Sequence, residues 1–537
     1  MLEGGLTPRE GPAPGPGGPA APEGAARIVV RLDPQRLWRW QVWLLDALAA
    51  LPGRRVAVAF AEGRPYPAAL RLLLELERPV FRLKGEQAAD LVASGPVRSA
   101  WPVPSGPADL LIDLAEPAAD GGAGLCPLYN GCAGDEGLVA AVMAGAPIRL
   151  RLSGGARPAG GDLAGGDLTG GDVIGGDLAG EDVAGDDPEL LPAVESRTVL
   201  TRALNRVFSA VLTLCLAEAG RPLPAPSPGR TARPGPRVGA AAVAGFAART
   251  GARKLAERLT DLCTRPERWH VGWRRLAHED AFLGRTRRLP EGGYTVLPDD
   301  GRRYYADPFL YRAGDRRFLF VEEYCYARRK GLISAAEIAP DGSIGTPRPV
   351  LEEAHHLSYP FVFGHAGAAW MIPESSVAGR VELYRAAALP DRWERAAILL
   401  DGIAASDVTL TRAGGLWWMF ACTHPFQASV RDTLSLFSAP DLLGPWTPHP
   451  RNPVVLDLRA ARPGGHLYRL GGELWRPAQD ASGGYGSALA LCRVDALTPT
   501  AYRQTLAAVV APGPAWARSG LHTLNRDGTL EVVDGMF

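Results

Sequence analysis

Three carboxylates in the second half of this 537-residue chain stand where they could do chemistry: Asp307 before Pro308, Glu374 between Pro373 and Ser375, and Asp407 after Ser406. Two or three carboxyl groups in one pocket are what glycosidic-bond cleavage requires, one protonated for the leaving oxygen and one ionised as base or nucleophile. Crowding assists, because neighbouring carboxylates raise one another's pKa. Glu322, Glu323, Arg476 and Gln479 end or follow apolar runs and His522 starts one, and all could reach the same place.

Plainer roles exist for each. Asp before Pro suits the start of a strand, and Glu374 could cap a turn. Glu322 and Glu323 are adjacent, so on a strand only one can face a given side. His522 could bind a sugar or metal, or be a buried histidine bonded to backbone. Of Trp417 and Trp418, one belongs to a core and the other could stack on a sugar ring. Arg328, Arg329 and Lys330 could hold a phosphate or uronic acid, or form a solvated loop. His355 and His356 read as loop residues.

A repeat must position these groups. Five stretches, beginning at Ala306, Ser358, Ser406, Pro463 and Gly520, share a small or polar start, alternating apolar residues, a Gly turn and a second apolar run. Each reads as a β-hairpin. With Asp307, Tyr359, Asp407, Gly464 and His522 taken as equivalent, the spacings are 52, 48, 57 and 58 residues. A four-stranded propeller blade needs about that length. Five blades fill 266–537, and the first strand of each lines a central channel, so Asp307, Asp407 and His522 should converge at its mouth.

The first half differs. All nine His lie at or beyond His270 and nine of the thirteen Trp at or beyond Trp269, which places a boundary near 265. Strands are expected at Arg27–Leu32, Arg55–Phe60, Asp109–Leu114 and Pro147–Leu152, with helices at Leu37–Leu51, Leu70–Leu76, Glu136–Ala144 and Arg197–Ala219. That order suggests an open, mainly parallel, Rossmann-like α/β sheet, without a dinucleotide-binding glycine fingerprint. Residues 1–25 read as a disordered leader, 26–220 as the α/β domain, and 221–265 as a Pro-rich linker and helix. Within the domain, 154–188 carries Asp162, Asp167, Asp172, Asp177 and Asp182 at five-residue intervals and reads as a low-complexity insertion.

Composition excludes other classes. Lys plus Arg number 58 and Asp plus Glu 58, so nothing suggests a nucleic-acid partner. No segment reads as transmembrane; the longest apolar run, Val207–Ala217, is about half of what a bilayer requires. Seven cysteines without C-x-x-C pairs suggest free thiols in a reducing compartment. A cytoplasmic protein without cofactor or metal is expected.

The second half resembles the N-terminal domain of plant glucosamine inositolphosphorylceramide transferases and its bacterial relatives. The residues that carry this are Ala306-Asp307-Pro308-Phe309, Tyr359-Pro360-Phe361, Pro373-Glu374-Ser375, Ser406-Asp407, Trp417-Trp418-Met419-Phe420, Arg476-Pro477-Ala478-Gln479, Gly520-Leu521-His522 and Val533-Asp534-Gly535. That domain is similar to the five-bladed propellers of the furanosidase clan (arabinanases, β-xylosidases, levansucrases, invertases). The resemblance implies Asp307 as base or nucleophile, Asp407 as modulator and Glu374 as acid, although Glu374 precedes Asp407 where the clan's acid follows. Residues 27–220 resemble a degenerate formyltransferase, with Cys126 where that family carries its histidine; a transfer that needs imidazole cannot run there.

Two functions follow. In one, the propeller recognises a sugar in its funnel, through Glu323, Arg476, Gln479, His522 and Trp418, and supports glycan or glycolipid biosynthesis. The expected partners are a carbohydrate or glycolipid precursor and a glycosyltransferase. In the other, it is an active glycosidase or transglycosylase using Asp307 and Glu374. Carboxylates locked in ion pairs with Arg476 or Arg462 would count against catalysis.

Overall fold

The computed structural model describes residues 25–115, 124–153, 189–194, 196–221, 233–263 and 268–537. The repeat at 154–188 and residues 1–24 of the expected leader lie outside the described residues.

In the first half, Ala26–Leu32 is the middle strand of a three-stranded parallel sheet, flanked by Arg54–Phe60 and Leu110–Asp113. The helix Arg39–Ala49 turns Trp40, Leu44, Leu45 and Leu48 inward, each fully buried. The one-face spacing of these residues makes the helix form and pack; each such apolar side chain contributes about 1.5–3 kcal/mol on burial. Helix Leu200–Gly220 crosses this core and brings Phe208 into a stacked contact with Trp40, ring centroids 5.4 Å apart. Among the described residues it is the one helix long and apolar enough to cross a membrane, and 72% of its apolar window is buried inside the protein.

The parallel sheet is smaller than the sequence pattern suggests. Leu150–Ser153 does not join it; it pairs antiparallel with Cys126–Tyr129 in a second sheet. A short apolar run specifies a strand but not its partner.

From Trp269 onward the chain is almost entirely sheet. Four successive antiparallel sheets begin with the strands Arg303–Ala313, Ser358–His365, Ala405–Ala413 and Tyr468–Leu470. A fifth joins Leu524–Asp527 and Leu530–Met536 to Trp269–Arg275 and Thr295–Val296, so the end of the chain is paired with the start of this half. Each sheet follows a path of four strands, with Val455–Leu456 an added pairing in the third.

The first strands of the first three sheets share one backbone device. Their registers slip between Ala306 and Phe309, between Ser358 and Phe361, and between Ser406 and Thr409. At each slip a non-glycine residue is left-handed: Asp307 (φ 49°), Tyr359 (φ 43°) and Asp407 (φ 52°). Such positions cost about 1–3 kcal/mol each and persist only where surrounding contacts over-determine them. A bulge of this kind re-aims a side chain and frees its backbone N–H from the ladder. Here the freed N–H of Tyr359 donates to Asp307 Oδ2 at 3.2 Å, linking one sheet to the next.

Candidate functional site

The bulges turn Asp307 and Asp407 into one buried polar cluster. Asp407, 1% exposed, accepts from Arg462 Nε (2.6 Å) and Nη2 (3.1 Å) and from Gln479 Nε2 (2.6 Å). Burial pushes its pKa up to about 7; the Arg462 charge and hydrogen bonds oppose this, and the charges of Asp307 and Glu374 add to it. Arg462 Nη2 also lies 3.7 Å from Glu374 Oε2.

Asp307 faces a different cation. His522 Nε2 lies 3.2 Å from Asp307 Oδ1, and His522 Nδ1 lies 3.0 Å from Asp534 Oδ2. Burial lowers the pKa of His522, but the two carboxylates outweigh it and raise the pKa to about 10. Burial would raise Asp307, yet His522, the Thr523 hydroxyl (3.0 Å) and Arg462 hold it below the usual carboxylate range. Asp307, His522 and Asp534 offer an O, N, O set within 4.8 Å. The His522 Nδ1 atom, although 3.0 Å from Asp534 Oδ2, makes no well-directed hydrogen bond.

Glu322 and Glu374 hold matching register positions. Glu322 pairs with Ala306 and Glu374 with Ser358, each one residue before a left-handed position. Their surroundings drive them apart. Glu374 accepts from Ser358 Oγ (3.1 Å) and from the Ser376 hydroxyl and N–H; burial opposes ionisation, but Arg462 and these donors hold its pKa below normal. Glu322 has no arginine acting on it in this way, and the His522 charge only partly offsets its burial. Burial, then the charges of Asp307 and Glu374, raise its pKa well above normal against the His522 charge, which lowers it. His356 Nε2 lies 3.4 Å from Glu322 Oε1, while its Nδ1 accepts the Gly331 N–H at 2.8 Å, which fixes the neutral tautomer with Nε2 protonated.

Several residues nominated from sequence sit elsewhere. Glu323 faces away from the cluster, bound to Arg303 (2.6 Å) and the Ser334 hydroxyl (2.7 Å). Arg476, fully buried, is spent on Gln504 Oε1 (2.8 Å) and the carbonyls of Ala460 and Ala461. Trp418 lies in a core with Phe420, Leu434 and Leu436, its indole N–H on the Ala413 carbonyl, and cannot present a face to a sugar. Trp417 packs in another core with Phe363. Arg328 and Lys330 pair with Glu352 on the surface, at 2.9 and 2.8 Å. The assignment of Glu374 as a proton donor is also opposed, because Arg462 stabilises its ionised form.

An aromatic wall that the sequence did not reveal borders the cluster. Tyr485, 38% exposed, lies under the Arg431 and Arg462 guanidinium carbons, each 5.2 Å from its ring centroid. Its ring is 5.7 Å from that of His522, which sits 4.1 Å from that of Trp269. Gln479 Oε1, buried, has no hydrogen-bond partner among the described residues.

Residues 299–523 match the family model described as glucosamine inositolphosphorylceramide transferase 1, N-terminal. Proteins named glucosamine inositolphosphorylceramide transferase 1 from Oryza sativa subsp. indica and Arabidopsis thaliana are 36% identical over 220 residues and 34% identical over 205. These alignments cover 40% and 37% of this chain but 28% and 27% of the relatives. Among solved structures, a family 117 glycoside hydrolase from Zobellia galactanivorans aligns with TM-score 0.33 and 13% identity, over 50% of this chain and 90% of that one. An exo-β-1,3-galactanase from Clostridium thermocellum aligns with TM-score 0.32 and 11% identity, over 47% and 64%.

Proposed function

We propose that the second half is a five-bladed propeller that recognises a sugar at the mouth of its channel and serves glycan or glycolipid biosynthesis. The five successive four-stranded sheets, the last closed by the half's own first strand, support the blade count. The family match supports the glycolipid setting. The observation that carries a binding role is the state of the carboxylates. Both oxygens of Asp407 are held by Arg462, one of them by Gln479 as well, and Asp307 is held by His522, Thr523 and the Tyr359 N–H. A carboxylate tied in this way serves as a fixed acceptor better than as a mobile base. Tyr485 beside the cluster supplies a face on which a sugar ring can stack.

Catalysis is the second reading, with a changed cast. Glu322, with its pKa raised, stands beside Asp307, with its pKa lowered, and glycoside hydrolysis needs one carboxyl group of each kind. Gln479, the side chain that joins Arg462 on Asp407, is an amide and cannot deliver a proton. Partnership with a glycosyltransferase and a cytoplasmic location belong to this same proposal; Cys126, Cys132, Cys215, Cys325, Cys422 and Cys492 are free, which supports a reducing compartment.

The test combines an oligosaccharide binding array with turnover assays on aryl furanosides, aryl pyranosides and nucleotide sugars. Retention of a glycan by the wild type, lost in Tyr485→Ala without turnover, supports recognition. Turnover that falls at least about a hundredfold in both Asp307→Asn and Glu322→Gln, with folding intact, replaces recognition by catalysis. Failure of every glycan to bind or react removes both.

A further inference from the structure

We infer that the first half is a working part of the candidate site. Helix Leu200–Gly220, through Arg206 and Ser209, holds residues 424–432 in the shape from which Arg462 is aimed at Asp407 and Glu374. This goes beyond the sugar reading, because it concerns how the cluster is held whatever enters it.

The contacts form a continuous chain. Ser209 donates to the Phe426 carbonyl, and Arg206 Nη1 donates to the carbonyls of Gln427 and Ala428, the latter at 3.0 Å. Gln427 Nε2 reaches back to the Glu86 carbonyl at 2.8 Å, and the Phe426 ring packs against the core of the first half. At the far end of the segment, the Ala193 N–H donates to Asp432 Oδ2 at 2.8 Å. On its other side the segment faces the site: the Ser406 hydroxyl lies 3.1 Å from His424 Nε2, and Arg462 Nη1 donates to the Val430 carbonyl at 3.0 Å.

The backbone shows why the segment requires a clamp. Phe426 (φ 50°) and Gln427 (φ 65°) are consecutive left-handed residues, and neither is glycine. Each such residue persists only where its surroundings impose it. The groups that impose it here are the two side chains of the helix and the Glu86 carbonyl, all from the first half. Arg206 and Ser209 act here through backbone carbonyls of the segment, which makes them positioning residues.

The experiment uses the full chain with Arg206→Met, Ser209→Ala and the double variant, followed by hydrogen–deuterium exchange. The expected result is exchange about tenfold faster across 424–432 in the double variant, with the first sheet unchanged. A second readout separates positioning from mere packing. With 13C-labelled aspartate, and the Asp407 signal assigned by its loss in Asp407→Asn, the Asp407 midpoint should rise in the double variant, because a loosened Arg462 no longer favours the carboxylate. If the double variant does not fold, Gln427→Ala removes the Glu86 contact alone and should accelerate exchange at 424–432 by a smaller factor. Unchanged exchange there, acceleration spread equally over all sheets, or an Asp407 midpoint that does not move would each overturn the inference. None of these readouts involves a glycan, so the sugar reading can fail while this one stands, and the reverse.

Discussion

Arg462 grips Asp407 through a two-point fork, Nε to Oδ2 at 2.6 Å and Nη2 to Oδ1 at 3.1 Å, across 55 residues of sequence. Both side chains are almost fully buried, at 7% and 2% exposure. Removing one member of such a pair leaves an uncompensated charge in a dry place. Arg462→Met should therefore destabilise the protein by about 3–5 kcal/mol in denaturant unfolding. Adding Asp407→Asn should recover part of that loss; a fully additive double variant would show that the two do not interact.

The two register-matched glutamates should respond differently to the same substitution. The raised pKa of Glu322 favours its neutral form, and Glu322→Gln, which exchanges one neutral group for another, should change stability by less than about 1 kcal/mol. Glu374→Gln removes the carboxylate beside Arg462 and should cost more, about 2 kcal/mol. Equal costs would mean that Glu322 is ionised as well.

His522 predicts a pH dependence with a definite sign. Its folded pKa, about 10, lies above the ordinary 6.5. The stability it contributes is therefore complete below 6.5 and is lost as pH rises towards 10. Urea midpoints should fall between pH 7 and 9.5 in the wild type. The decline should be shallower in His522→Gln, and parallel slopes would exclude His522 as the source.

Tyr485 should take the sugar-facing role that sequence position suggested for Trp418. Tyr485→Ala, at a part-exposed position, should cost less than about 1 kcal/mol of stability yet weaken binding of any retained oligosaccharide about tenfold. Trp418→Ala should cost about 3–5 kcal/mol by opening a cavity in its core. Measured at a temperature where it remains folded, it should leave the glycan affinity unchanged. Titration of each variant with the glycan found on the array checks both.

The repeat was legible in the residues alone. A small or polar start, alternating apolar residues and a Gly turn recur because each hairpin must bury one face and reverse direction, and those demands are local. The equivalence of Asp307, Tyr359 and Asp407 was legible for the same reason, and all three are left-handed bulge residues. What the sequence left open was facing. Of Glu322 and Glu323 only one enters the cluster; Arg476 and Gln479, three apart on one strand, face opposite sides, and only Gln479 reaches Asp407. Strand parity states that such neighbours diverge, but not which side is the site, since that depends on where the other sheets lie. Tertiary structure alone decided the partners of the charges. Arg462 and His356 lie outside the periodic runs and reach Asp407 and Glu322 because separate sheets converge, whereas Asp534 ends the hairpin that His522 begins. A sequence determines which groups can ionise; the neighbours that burial assigns them determine which do.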